Sequence, residues 1–80
     1  MTPEFEFVIG DDPDHEDLVA EITYGNELVC MLTMEQGFDL LQLEIHPRKD
    51  CQPWCFAEQE FEDFLLKAKR RLGELRKSTT

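Results

Sequence analysis

Leu18-Val19-Ala20-Glu21-Ile22-Thr23-Tyr24-Gly25-Asn26-Glu27-Leu28-Val29-Cys30-Met31-Leu32 is the stretch whose reading decides the fold. Leu18, Ala20, Ile22 and Tyr24 alternate with Val19, Glu21 and Thr23, the period of a strand with two unlike faces. Gly25-Asn26 then makes a two-residue hairpin loop, because Gly takes a positive φ at the first central position. If Tyr24 pairs with Glu27 without interruption, Ile22 faces Val29 and Ala20 faces Met31, and one face is consistently apolar. The opposite face then receives Leu28, Cys30 and Leu32 around Glu21 and Thr23, too apolar for open solvent. A bulge that shifts the register, or a cover over the second face, resolves the conflict, and the sequence leaves both open.

Working outward, Phe5, Phe7 and Ile9 alternate with Glu4 and Glu6 as a half-buried strand over residues 4–9. Gly10-Asp11-Asp12-Pro13-Asp14 interrupts it, as a turn or the start of a short helical turn with Asp12 as cap and Pro13 first. A turn at Glu35-Gln36-Gly37 precedes a fourth strand, Asp39 to His46, with Leu41, Leu43 and Ile45 on one side. Residues 47–55, with Pro47 and Pro53, read as a loop. From Ala57 the period changes. Phe61, Phe64, Leu65, Ala68, Leu72 and Leu75 fall on one helical stripe. Acids lead that helix and bases end it, which suits its dipole, while Gly73 weakens the last turn by about 1 kcal/mol relative to Ala.

The expected fold class is therefore α+β: a four-stranded antiparallel meander with one C-terminal amphipathic helix packed on one face. The helix should bury the Phe5/Phe7, Ile22 and Leu43 side, leaving Glu4, Glu6, Glu21 and Glu44 on the other. No repeat or linker divides the chain, so a single domain over residues 1–80 is expected. Eighty residues bury only about 60% of the surface of the unfolded chain, so the core is thin. Yet 41% hydrophobic content with six Phe is that of a folding sequence, not an acidic disordered tail.

Charge is divided as sharply as hydropathy. Residues 1–46 hold twelve carboxylates and no Lys or Arg, and the first cationic side chain is Arg48. Crowded like charges oppose compaction, so the bias suits a surface offered to something positive. A net charge of −10 argues against direct nucleic-acid binding, because phosphates are repelled. The acidic start does not resemble a targeting segment, and the apolar run Leu28–Leu32 is too short to span a bilayer. No membrane association and a cytoplasmic location are the expectation.

Asp11, Asp12, Asp14, Glu16 and Asp17 crowd around His15 in one loop. The loop lacks the Gly at the sharp turn and the distal Glu of a helix-loop-helix calcium site, so its reading is a solvated loop or one that meets a basic partner. His46, Cys51 and Cys55 form H-x4-C-x3-C, only loosely suited to tetrahedral zinc, which needs four ligands. The three Cys are an odd number and make no secreted disulfide framework. Cys30, in an apolar run, reads as a small buried hydrophobe, and Cys51 and Cys55 as free thiols without metal. Trp54 plugs the end of the core or anchors an interface. No catalytic residue is assigned: a Cys55–His46 pair has no orienting motif, and carboxylates without a pocket do not make acid–base chemistry.

The run Asp12-Pro13-Asp14-His15-Glu16-Asp17-Leu18-Val19-Ala20-Glu21-Ile22, the Gly25-Asn26 hairpin and the closing Trp54…Phe61…Leu65…Ala68…Leu72 helix together resemble small bacterial immunity proteins. Such proteins are encoded beside polymorphic and contact-dependent inhibition toxins. The resemblance covers most of the chain and is one of pattern, and the Cys51/Cys55 loop departs from it. It implies an acidic, non-enzymatic protein that neutralises a cognate toxin domain, often a nuclease, by binding it. No family active residues can be carried over. Joined to the charge reading, it makes Asp11, Asp12, Asp14, Glu16 and Asp17 in the loop, with Glu21 and Glu44 on the sheet, the expected partner-binding residues. A metal-binding or redox-sensing domain using His46, Cys51 and Cys55 is the alternative, followed by a homodimeric module joined through Leu28, Cys30 and Leu32.

Overall fold

A computed structural model describes residues 4–13, 15 and 17–75. Four strands, β1 (Phe5–Gly10), β2 (Val19–Tyr24), β3 (Glu27–Thr33) and β4 (Gln42–Ile45), form one antiparallel sheet in sequence order. One helix, α1 (Glu58–Leu75), packs across a face of it, giving the expected α+β meander. Because each strand follows its neighbour through a short connection, antiparallel pairing needs no crossover.

The hairpin turn has φ 58° at Gly25 and 67° at Asn26. Positive φ at both central positions is the type I′ turn, whose twist matches the strands it joins; Asn tolerates it better than most side chains. Pairing starts as the sequence suggests, Tyr24 with Glu27, but a bulge intervenes at Ile22/Thr23. Ile22 therefore faces Cys30, not Val29, and Ala20 faces Leu32, not Met31. The extra residue turns Cys30 and Leu32 onto the helix side, where both are buried. The Leu28/Cys30/Leu32 face considered for self-association does not form.

The second resolution of the conflict occurs as well. Val19, Met31 and Thr33 fall by register on the sheet face away from α1, yet they are 1%, 5% and 3% exposed. Over this face His15, from the loop after β1, reaches Glu35 and Glu44 and lies beside Thr33. Of the two readings of Asp12-Pro13, a turn or a helical start, the structure has the turn, closed by the His15 amide donating to the Asp12 carbonyl at 3.0 Å.

The helix-side core comprises Ala20, Ile22, Val29, Cys30, Leu32, Met34, Ala68 and Leu72. An aromatic cluster caps it at the start of α1. Phe5 lies 4.7 Å from Phe56, 5.3 Å from Phe64 and 4.9 Å from Tyr24 between ring centroids. Tilted and stacked rings at such separations add about 0.5–1.5 kcal/mol per pair beyond area burial. Trp54 stacks on Phe56 at 5.4 Å, and its indole N–H donates to the His46 carbonyl at 2.8 Å. It closes the end of the core and carries the Arg48 guanidinium over its outer side.

Three further expectations need correction. The fourth strand begins at Gln42, not Asp39, because Phe38–Leu40 winds into a 3-10 turn after Gly37 (φ 94°). The inward stripe of α1 ends at Leu72, and Leu75 is exposed. Leu43 is not buried by the helix either: α1 lies over β1 and β2, leaving Leu43 and Ile45 of β4 41% and 68% exposed.

Candidate functional site

The sheet face opposite α1 gathers the acidic residues. By register, Val8, Glu21, Met31 and Glu44 form one row across all four strands. Glu21 and Glu44 are two strands apart in that row, about 10 Å, with Met31 between them. Glu6 lies on the same face of β1, one pleat along. Every Lys and Arg lies at or beyond Arg48, and Lys67, Lys69, Arg70 and Arg71 stand exposed on α1, on the other side of the sheet. α1 also carries Glu58, Glu60, Glu62, Asp63 and Glu74, so its side is of mixed charge, whereas the opposite sheet face carries Glu6, Glu21 and Glu44.

His15 joins loop to sheet. Its Nδ1 lies 2.7 Å from Glu35 Oε1, and its Nε2 lies 3.6 Å from Glu44 Oε2. His46 Nε2 approaches the same Glu44 oxygen at 3.7 Å. The hydrogen bond to Glu35 raises the His15 pKa above its ordinary value, helped by the negative charge of Glu35, Asp12 and Glu44 and opposed by desolvation. Thr33, Glu35, Gln42 and Glu44 border an open cleft with His15. Its polar walls suit charged or hydrogen-bonding side chains.

Of the residues expected to bind a partner, Asp11 and Asp17 are exposed and Asp12 is half-buried. Glu21 and Glu44 share the sheet face on which His15 approaches Glu44. Asp14 and Glu16 lie outside the described residues. Glu35 belongs to the same surface and was not singled out from sequence; its place beside the Glu35-Gln36-Gly37 turn marks it only as a turn residue. Arg48, the first cation, is paired with Asp50 at 2.9 Å.

Among the described residues, no three His, Cys, Asp or Glu side chains converge to hold a metal ion. His46, Cys51 and Cys55 are thus not assembled into the ligand set of the alternative reading. Cys51 and Cys55 are exposed free thiols, and burial pushes the Cys30 thiol up to about 11. Among the described residues, no helix is long and apolar enough to cross a membrane. No protein-family model, curated protein or solved structure matches the chain.

Proposed function

We propose that the chain is an inhibitor: a small acidic binding module of the immunity-protein kind, whose carboxylate face occupies the basic substrate groove of a toxin domain, a nuclease being the best fit. It acts by occupation and not by catalysis, in the cytoplasm of a bacterium. The observation that supports this reading is the meeting of the acidic loop with the sheet carboxylates on the side away from α1, through the His15 contacts to Glu35 and Glu44. Such a surface presents the same sign of charge as the nucleic-acid backbone that a nuclease groove is built to hold. Complementary charge of this kind speeds encounter and selects the partner.

The test is co-expression with the toxin domain encoded beside the gene. Growth should be rescued, and the purified toxin should lose activity at one equivalent of inhibitor. Replacing Asp11, Asp12, Asp17, Glu21 and Glu44 by their amides should slow association and flatten its salt dependence while the fold is retained. Rescue by the amide variant at an unchanged association rate, at every ionic strength, overturns the assignment to this face.

A further inference from the structure

Three of the groups that border the cleft beside His15 are left without a partner. Thr33 is 3% exposed, yet among the described residues its hydroxyl makes no hydrogen bond. Buried hydroxyls are as a rule paired, because an unmet one loses its bonds to water and regains none. Glu44 has its Oε2 3.6 Å from His15 Nε2 and 3.7 Å from His46 Nε2, beyond hydrogen-bond reach of either. The Gln42 amide is exposed and, among the described residues, unbonded as well. Register brings the three together. Thr33 and Gln42 are partners across β3 and β4, and Glu44 follows Gln42 on the same side of β4, about 7 Å along the strand. Leu43 adds an apolar wall to this open cleft of about 520 Å³. Surface carboxylates alone would be solvated and need no guest; an unmet, buried hydroxyl on the floor of the cleft points to one.

We infer that this cleft receives an arginine side chain of the protein partner, its guanidinium donating to Glu44, Gln42 and Thr33 and its methylenes lying against Leu43. The inference deepens the proposed function and rests on it for the basic character of the partner, since Glu44 belongs to the carboxylate face. A guanidinium carries donors on opposite edges of one plane and reaches acceptors about 7 Å apart together, whereas an ammonium is a compact point donor. Charge-assisted bonds of this kind are the strong ones, and arginines seated in pockets recur among the residues that carry most of a binding energy. His15 does not fill the place, because its Nδ1 is committed to Glu35 at 2.7 Å. Its charge matters all the same. Glu35, Glu44 and Asp12 lie near it and His46 stands beside Glu44, so protonated imidazoles compete with a cationic guest for one carboxylate.

Other guests fit less well. A metal ion needs a converging ligand set, which the described residues do not form. An anion is repelled by Glu35 and Glu44. A lysine ammonium satisfies Glu44 but leaves Thr33 and Gln42 unmet. An apolar side chain would shut Glu44 and the Thr33 hydroxyl away from water without replacing it.

The probe is N-acetyl-arginine amide, titrated into the isotope-labelled protein at pH 8.5, where the imidazoles carry least charge. The lysine and citrulline counterparts are the comparisons, citrulline having the shape of arginine without its charge. The methyl signals of Thr33 and Leu43 in NMR report binding. The arginine probe should shift both and saturate. The lysine probe should bind several-fold more weakly, and the citrulline probe should not bind. Thr33→Val, which keeps the shape and removes the hydroxyl, should weaken arginine binding several-fold, read at Leu43. Glu44→Gln should weaken it about tenfold, the scale of one charge-assisted hydrogen bond. Glu6→Gln removes the same charge from the same face outside the cleft and should leave binding unchanged. Absence of a saturable shift, equal affinity for arginine and lysine, or unchanged affinity in Thr33→Val overturns the inference. So do equal losses in Glu6→Gln and Glu44→Gln, which would make the attraction one of diffuse charge. The proposed function is judged separately, by toxin neutralisation. Arginine capture without growth rescue would keep the cleft and remove the toxin as partner; rescue without arginine capture would do the reverse.

Discussion

The ring of Phe38 lies against Gly73 so closely that a Cβ on Gly73 would stand 2.8 Å from Cζ of the ring. A glycine that sequence reading treats as a weak point of α1 is therefore the floor on which the 3-10 turn rests. Two effects oppose each other in Gly73→Ala. Helix propensity improves by about 1 kcal/mol, but the added methyl forces the Phe38 ring to move, and overpacking of this kind costs about 1–3 kcal/mol. The expected result is net destabilisation of about 1 kcal/mol in denaturant unfolding. In a Phe38→Ala background the clash is gone, and Gly73→Ala should then stabilise by about 1 kcal/mol. The same sign in both backgrounds would show that the Phe38 contact does not govern this position.

Leu72 and Leu66 offer the same side chain on one helix in opposite settings, 0% and 55% exposed. Leu72→Ala opens a cavity between α1 and Ile22 and should cost about 2–5 kcal/mol. Leu66→Ala should change stability by less than about 0.5 kcal/mol, as an open-surface substitution does. Comparable losses at the two sites would mean that Leu66 is packed against other residues in solution.

Much of this architecture was legible because local signals agreed with the global fold. Alternation in residues 4–9 and 18–32 placed three strands, and the change of period after Ala57 placed the helix. Legibility failed where a single residue decides a register. Nothing in Leu28-Val29-Cys30 announces which residue is extra, since all three suit either face; only the burial of Cys30 and Leu32 beneath α1 selects the bulge. Phe38–Leu40 failed for a related reason: Phe38 is apolar in either a strand or a turn, and its tertiary contact with Gly73 goes with the turn. The helix stripe fixed which side of α1 faces inward but not which strands it covers, so the open strip over β4 was invisible. For the candidate site, the acidic loop was evident from composition. Its attachment to the sheet through His15 was not, because Glu35 and Glu44 lie 20 and 29 residues away in sequence.

The three thiols should separate by reactivity. Cys30 is fully buried and its pKa is pushed up to about 11, so at pH 8 it holds almost no thiolate. Iodoacetamide should modify Cys51 and Cys55 in the native protein, each within minutes, and reach Cys30 only through unfolding. Mass spectrometry of the labelled protein should therefore halt at two adducts until denaturant is added. A third adduct at the native rate would place Cys30 outside the core.

Acid should tighten the loop that His15 holds. The Glu35 hydrogen bond raises the folded-state pKa of His15 above the ordinary value of about 6.5. A group whose pKa is raised on folding binds protons more strongly in the folded state. Its stabilising contribution is then complete below about pH 6.5, declines as pH rises through the folded value, and is absent above it. His15→Gln keeps a donor but cannot carry the charge. The difference in Tm between wild type and His15→Gln should therefore be larger at pH 5.5 than at pH 8.5, with wild type the more stable in acid. The two proteins share every carboxylate, so acid effects common to both cancel in the difference. Amide exchange supplies a local check: protection at Thr33, which lines the cleft with His15, should fall with rising pH more in wild type than in His15→Gln, after correction for intrinsic rates. A stability difference that is flat between those pH values would mean that His15 holds the loop only as a neutral hydrogen-bonding group.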